Sequence, residues 1–308
     1  MLRHLSRLRV VGVRYRGGRP AADDERGLDA YAASGVYAAT GVPFDVVEPR
    51  APDGEPDGPD VGAIGALNGR IAEAVADARR EGAAILMTGG DCTHVTGVVG
   101  GLQDAHGADL RLGLVWFDAH GDFNTPHTST SGMLGGMPVA VCAGLTHADW
   151  RERSHIVAPL PTDRIVLVDV RNLDPPEEAL IRATDATIAA IAEGFPGEPL
   201  GAIVDRLSER CDAIYLHIDA DTLDQAFVPS HGTKEPNGPD TAQTADAIDT
   251  VMATGKVVAL ALVSVYHRGE EGEVSMASAI EVLRAALESW ALHGMAALPI
   301  RPSPRRAR

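Results

Sequence analysis

Residues 111–122 read RLGLVWFDAHGD, a run of six apolar residues that leads directly into two aspartates and a histidine. A short apolar run of this length is typical of a strand buried on both faces, as in a parallel sheet. Runs of the same kind predict six more strands, at residues 8–15, 43–48, 83–88, 164–170, 213–219 and 257–265.

Longer, Ala-rich segments with helical periodicity alternate with these runs, and the alternation predicts an α/β fold on a mainly parallel sheet. The predicted helices are residues 61–81, 95–105, 136–145, 177–193, 201–210, 241–255 and 274–293. Residues 50–60 have the Pro, Gly and Asp content of a surface loop, and residues 301–308 are predicted to be a disordered tail. No linker interrupts the pattern, so we interpret residues 1–308 as one domain.

The 308-residue chain carries 27 Lys and Arg against 43 Asp and Glu, a formal net charge of −16. Nucleic acids and anionic membranes bind clustered positive charge, so this balance argues against both as partners. No apolar run is long enough to predict a transmembrane helix. The three cysteines, Cys92, Cys142 and Cys211, are too few and too widely spaced for a disulfide scaffold, which favours the cytoplasm.

Asp118, His120 and Asp122 follow the predicted strand at every second position. Carboxylate oxygens with an imidazole nitrogen suit a divalent ion of intermediate hardness such as Mn²⁺. The alternative is a charged strand end that caps the next helix.

A second strand, at residues 213–219, ends in the same way, with Asp219, Asp221 and then Asp224. Clustered carboxylates repel one another unless a cation offsets their charge. Two strands that end in alternating acids therefore favour a site for two metal ions over a solvated acidic loop.

Two further segments lie where strand ends meet. In Gly89-Gly90-Asp91-Cys92-Thr93-His94, either Cys92 or His94 can serve as a metal ligand, although a buried cysteine is more often an apolar filler. Residues 124–132 (NTPHTSTSG) form a loop rich in hydroxyl and amide groups. These groups can form hydrogen bonds either with a substrate carboxylate or with the loop's own backbone.

Together these segments resemble the signatures of the arginase/agmatinase (ureohydrolase) family. The three signatures occur here, in family order, as GGDCTH, DAHGDFNTPHTSTSG and HIDADTLDQ, and the resemblance covers about residues 8–293. It implies a three-layer α/β/α sandwich with an eight-stranded, mainly parallel sheet. It also implies two Mn²⁺ ions per chain, hydrolysis of a guanidine C–N bond, and a homo-oligomer.

The resemblance assigns each ligand by position. Asp118 and Asp219 are expected to bridge the two ions, His120 and Asp221 to complete one shell, and Asp122 and Cys92 to complete the other. Asp122 is also expected to carry the proton to the leaving amine. The implied nucleophile is water that two cations have made more acidic.

Four residues are expected to bind an arginine-like amino acid. Asn124 and Ser131 correspond to the family's contacts with an α-carboxylate, and Asp174 to its contact with the α-amino group. Thr233 corresponds to a threonine that lines the cleft. The substrate predicted from this set is a small guanidino amino acid rather than a decarboxylated amine.

Three positions depart from the family pattern. Cys92 replaces a histidine ligand, and a thiolate matches Mn²⁺ poorly, although the neighbouring His94 is a possible substitute. Gly135 replaces a histidine near the cleft mouth and offers no proton relay. Ser264 replaces a glutamate that pairs with the substrate guanidinium, which a hydroxyl cannot neutralise.

These departures suggest a less basic guanidine than that of arginine. The Cys92 change is similar to that of the family branch that cleaves Nω-hydroxy-L-arginine to hydroxyurea and L-ornithine in antibiotic (D-cycloserine) biosynthesis, so we expect this substrate. The alternatives are another guanidino or formimino acid, or a catalytically poor member that acts as a binding subunit.

Overall fold

A nine-stranded parallel sheet lies at the centre of the fold in the computed structural model, which describes residues 2–22, 27–53, 60–267 and 269–301. In spatial order its strands are β10 (Glu198–Pro199), β9 (Thr187–Ala190), β8 (Ile165–Val168), β7 (Leu112–Phe117), β11 (Ala213–Asp219), β12 (Val257–Val263), β6 (Ala84–Gly89), β2 (Leu8–Val13) and β5 (Phe44–Val47). Two short antiparallel pairs lie outside it, β1 (Leu2–Arg3) with β13 (Met295–Ala296) and β3 (Tyr15–Arg16) with β4 (Arg19–Pro20).

Helices cover both faces of this sheet. They are α1 (Leu28–Ser34), α2 (Val61–Arg80), α3 (Val95–His106), α4 (Pro138–Cys142), α5 (Ala148–Arg153), α6 (Pro175–Arg182), α7 (Leu200–Arg210), α8 (Thr241–Met252) and α9 (Gly269–His293). Every residue of β7, β11 and β12 is buried, so neither face of the central strands meets water. The predicted three-layer α/β/α sandwich is therefore confirmed.

The seven strands predicted from apolar runs are all present, with ends within two residues of the prediction. The prediction of eight strands was wrong by one, because β10, a two-residue edge strand, pairs with β9. Most of the predicted tail (residues 302–308) lies outside the described residues. So does the middle of the predicted loop (residues 54–59).

The helix predicted at residues 177–193 was also wrong. Pro175 and Pro176 start α6, which ends at Arg182, and the chain then forms β9 parallel to β8. The hydrogen-bonding groups of β8 are available at that point, so pairing with the sheet overrides the helical propensity of an Ala-rich segment. The helix predicted at residues 136–145 is shortened to α4.

Close packing of α3 against the end of α5 and against α2 depends on glycines of α3. A Cβ atom added at Gly100 would lie 1.8 Å from the backbone oxygen of Ser154, and one at Gly101 would lie 2.6 Å from that of Ala72. Backbone atoms cannot move aside as a flexible side chain can, so these positions accept no larger residue without displacing a helix.

We expect Gly100→Ala to lower the free energy of unfolding by about 3 kcal/mol or more, because the new methyl group displaces α3. The matched control is Gly201→Ala in α7, where a Cβ meets nothing closer than 3.9 Å and the substitution should be neutral or stabilising. Urea denaturation of the two variants measures the difference. Equal stabilities would contradict the packing described here.

Candidate metal centre and substrate cavity

Four adjacent strands bring the candidate ligands together. The strands β7, β11, β12 and β6 are neighbours in the sheet and run parallel, so their carboxyl ends meet at one edge. Asp118 follows β7, Asp219 ends β11, Ser264 follows β12, and Cys92 lies three residues after β6. The fold thus brings these residues together at the edge that the strand ends predicted.

The turn after β6 needs its two glycines. Gly89 and Gly90 both have a φ of 72°, and a Cβ at Gly89 would lie 2.5 Å from the backbone oxygen of Val13. Asp91 then accepts hydrogen bonds from the backbone N–H of Thr93 at 3.0 Å and of Gly17 at 2.7 Å. These contacts hold the next residue, Cys92, toward the sheet edge.

The side chain of Cys92 contacts the acids rather than only apolar neighbours. Its Sγ donates to Asp219 Oδ2 at 2.8 Å and lies 3.6 Å from Asp118 Oδ2. Ligand atoms of Cys92, Asp118 and Asp122 all lie within 4.8 Å of one another. His94 belongs to none of the clusters found among the described residues, so the geometry favours Cys92 over His94 as the candidate ligand.

A second cluster consists of Asp118, His120 and Asp221. The Nδ1 atom of His120 lies 3.3 Å from Asp118 Oδ1 and 3.2 Å from Asp221 Oδ2. Its Nε2 atom lies 3.6 Å from Glu235 Oε1, a residue that the sequence prediction did not consider.

A third cluster joins Asp219 and Asp221 to His231. The sequence interpretation included only Thr233 from this segment and missed the histidine two residues earlier. A histidine beside a residue expected in the cleft was the available signal, and nothing in the spacing showed that its ring would face the acids.

Burial and mutual repulsion dominate the electrostatics of the site. They raise the pKa of Asp118 and of Asp122 well above the usual range. Burial would raise the pKa of Asp219 too, but its contacts with His231 and other donors hold it well below that range. Burial would lower the pKa of His120, yet hydrogen bonds to Asp118 and Asp221 raise it to about 12. The buried Cys92 thiol, near three carboxylates, has a pKa well above its ordinary value.

All four predicted substrate contacts line one cavity of about 610 Å³ together with the candidate ligands. Asn124 Oδ1 accepts from Thr128 Oγ1 at 2.8 Å, and Asp174 accepts from the backbone N–H and hydroxyl of Thr130 at 3.2 and 2.9 Å. Ser131 is exposed. The hydroxyl of Thr233 donates to Asp221 Oδ2 at 3.1 Å, so this residue contacts a candidate ligand as well as the cavity.

The other two departures from the family pattern also face this cavity. The hydroxyl of Ser264 donates to Asp219 Oδ2 at 2.6 Å. Ser264 directly follows β12 and has a φ of 61°, so the extended backbone of the strand stops before it. Apart from the two chain neighbours, no atom of the described residues lies within 4 Å of a Cβ built at Gly135, so the position leaves open space in the cavity wall.

Comparison with known proteins agrees with this geometry. The sequence pattern of the Arginase family matches residues 28–288. The chain belongs to the arginase family. Arginases of Bacillus caldovelox and Neurospora crassa are 33% identical over 175 residues and 31% identical over 214 residues. These matches cover 56% and 66% of this chain but only 57% and 59% of the two relatives, so the chain spans about three fifths of their length.

Solved structures of the family share the fold. The chain superimposes on Entamoeba histolytica arginase in complex with L-ornithine with a TM-score of 0.80 at 20% identity, covering 93% and 99% of the two chains. Formimidoylglutamase from Bacillus subtilis gives a TM-score of 0.69 at 14% identity, covering 94% and 88%. Among the described residues of this arginase-family chain, no helix combines the length and apolarity needed to cross a membrane.

The residues present fit a metal centre. Asp118, Asp122, Asp219 and Asp221 are buried within reach of one another, and like charges this close are unfavourable without a cation. Carboxylates and imidazole are the donors that Mn²⁺ and similar ions prefer, whereas the sulfur of Cys92 is a softer donor.

We expect the melting temperature of the metal-free protein to fall by at least ~3 °C between about pH 6 and about pH 8. The raised pKa of Asp118 and Asp122 means that protons stabilise the metal-free fold, and this stability is lost as pH rises through the folded-state values. The raised pKa of His120 acts in the same direction above about pH 6.5. Metal replaces the protons, so the increase in melting temperature on adding Mn²⁺ should be larger at about pH 8.

Calorimetry with and without chelator measures both effects. The control is Asp122→Asn, which is neutral at every pH and tolerated at the φ of 47° found there, and which should flatten the pH dependence. A metal-free protein that becomes more stable as pH rises would contradict the electrostatics described above.

We expect Cys92→His to reach full Mn²⁺ loading at lower metal concentration than the wild type, by about 10-fold, because Mn²⁺ prefers nitrogen to sulfur. The matched control is Cys142→Ala, a buried cysteine outside every candidate cluster found among the described residues. Equilibrium dialysis gives the metal bound per chain. Superimposable curves for the wild type and Cys92→His would mean that Cys92 is a filler and not a ligand.

Proposed function

We propose that this chain is a binuclear-metal amidinohydrolase that cleaves the guanidine C–N bond of an arginine-like amino acid, with Nω-hydroxy-L-arginine preferred over L-arginine. The ligand clusters, the cavity and the family membership support the reaction class. Water adds to the guanidine carbon, the bond to the side-chain nitrogen breaks, and the products from hydroxyarginine are hydroxyurea and L-ornithine.

The preference for hydroxyarginine rests on Ser264. This residue faces the cavity where the resemblance predicts a glutamate for the substrate guanidinium, and its hydroxyl is already donated to Asp219. A fully charged guanidinium buried without a carboxylate partner would lose about 2–5 kcal/mol of binding. A less basic hydroxyguanidine loses less binding free energy when the carboxylate partner is missing.

The chain's own groups would orient the substrate. The side-chain amide of Asn124 and the hydroxyl of Ser131 offer neutral hydrogen bonds to an α-carboxylate, and Asp174 offers charge to an α-ammonium group. Two divalent ions, which we propose to be Mn²⁺, would supply an acidic water when bound.

Asp122 is suited to move the proton. Its side chain is buried and belongs to the Cys92 cluster, so from this position it would pass a proton from the acidic water to the leaving amine. Its backbone oxygen accepts from the N–H of Val139 at 3.0 Å, which fixes the backbone at this residue.

A formimino acid with a second carboxylate is the alternative substrate that a specific observation favours. Arg16 and Arg19 line the same cavity, and Arg16 lies 4.7 Å from the centre of the Tyr266 ring. Two guanidinium groups at the cavity wall favour a substrate with a negatively charged group over one that is only positively charged.

We expect the Mn²⁺-loaded protein to hydrolyse Nω-hydroxy-L-arginine at least ~10-fold more efficiently than L-arginine, and agmatine, which lacks the carboxylate, least of all. Ser264→Glu should shift this ratio toward arginine by ~10-fold or more, because the new carboxylate pairs with the charged guanidinium. Ser264→Ala, which stays neutral, is the control and should not improve arginine turnover.

Chromatographic detection of hydroxyurea, urea and ornithine measures the three activities. Equal efficiency on arginine and hydroxyarginine would overturn the proposed preference. Turnover of formiminoglutamate alone would favour the alternative substrate.

A further inference from the structure

His231 occupies a defined place beside the acids of the site. Its backbone N–H donates to Val228 O at 2.9 Å, and the preceding Ser230 donates from its hydroxyl to Tyr266 O at 2.5 Å. The imidazole ring packs against the ring of Tyr266, with centroids 5.2 Å apart, and is 95% buried, since only 5% of the residue is exposed. The ring is therefore held in one orientation before any ligand binds.

The ring nitrogens of His231 lie against the acids of the site. Its Nε2 atom forms an ion-pair contact with Asp219 Oδ1 at 3.2 Å, and it has no hydrogen bond of regular geometry among the described residues. The other ring nitrogen, Nδ1, lies 3.6 Å from Asp221 Oδ2. The imidazole therefore lies against two carboxylates, an arrangement typical of a group that completes a cation site.

We propose that His231 is a further metal ligand, which joins Asp219 and Asp221 around the ion that His120 also holds. The inference rests on the proposed metal-dependent function. It gives that ion two imidazole donors together with carboxylates, whereas the ion at Cys92 has no imidazole donor in its cluster. The two sites are then unequal, and the first equivalent of metal binds between His120 and His231.

Thr233 provides the acceptor that this role requires. Metal binding through Nε2 needs the tautomer with its proton on Nδ1, and Thr233 Oγ1 lies 3.3 Å from that atom. The same hydroxyl donates to Asp221 Oδ2 at 3.1 Å, so one side chain orients two of the proposed ligands. The backbone N–H of Thr233, which approaches Nδ1 at 3.2 Å, gives up that contact in this tautomer.

The competing role for His231 is that of a positioning residue, which carries its proton on Nε2 and directs it toward Asp219. The substitution His231→Gln separates the two roles, because glutamine keeps an N–H donor but offers no imidazole nitrogen. His4→Gln, at an exposed position far from the clusters in sequence, is the control for loss of a histidine.

The first measurement is a titration of the metal-free full chain with Mn²⁺, in which the EPR signal of the free ion reports how much remains unbound. For the wild type we expect one tight and one weaker site. His231→Gln should weaken the tight site at least ~10-fold and leave the weaker one unchanged, while Cys92→Ser should weaken only the weaker site. His4→Gln should match the wild type.

The second measurement counts nitrogen donors by pulsed EPR at one equivalent of Mn²⁺. We expect ¹⁴N couplings from two imidazoles in the wild type and from one in His231→Gln. One imidazole in both proteins, or unchanged affinity in His231→Gln, would overturn the proposal and leave His231 as a positioning residue.

Neither measurement uses substrate, so the two proposals can fail separately. A protein that binds Mn²⁺ through two imidazoles but hydrolyses no guanidino acid refutes the proposed function and supports the ligand role. A protein that turns over hydroxyarginine normally but binds the first Mn²⁺ through a single imidazole supports the proposed function and refutes the ligand role of His231.

Discussion

The concentration of negative charge at one buried edge of the sheet is the constraint on which the rest of the site depends. Asp118, Asp122, Asp219 and Asp221 are nearly excluded from water and belong to three overlapping clusters of candidate ligands. In a medium of low dielectric constant such a group is stable only when donors, protons or cations offset the repulsion. Four neighbouring parallel strands bring the acids, the thiol and the serine hydroxyl to the same place.

Two of the donors that offset this charge are residues at which the sequence differs from the expected family pattern. Cys92 and Ser264 both donate to Asp219 Oδ2, at 2.8 and 2.6 Å. Two differences that look independent in the sequence, one at an expected metal ligand and one at an expected substrate contact, therefore act on the same carboxylate.

Much of the fold could be predicted from the sequence, because a strand buried on both faces is largely apolar. β7 satisfies that condition throughout, and β11 satisfies it until His217, near its carboxyl end. The segment at residues 187–190 could not be assigned in this way, since its Ala-rich sequence has no strong strand preference. It is a strand because β8 offers it unpaired backbone groups. Likewise, no local pattern indicated that His231 faces Asp219, because the contact joins segments that only folding brings together.

The sequence by itself determined the alternation of strands and helices, the strand ends that carry Asp118 and Asp219, and the resemblance to the arginase family. Each of these depends on residues that are close together in the chain. Only the tertiary structure decided that Cys92 rather than His94 reaches the acids, that Ser264 donates to a carboxylate, and that His231 joins a ligand cluster. The reason is physical: the direction of a side chain depends on the turn that carries it and on the neighbours that fill the space around it, and those neighbours come from distant parts of the chain.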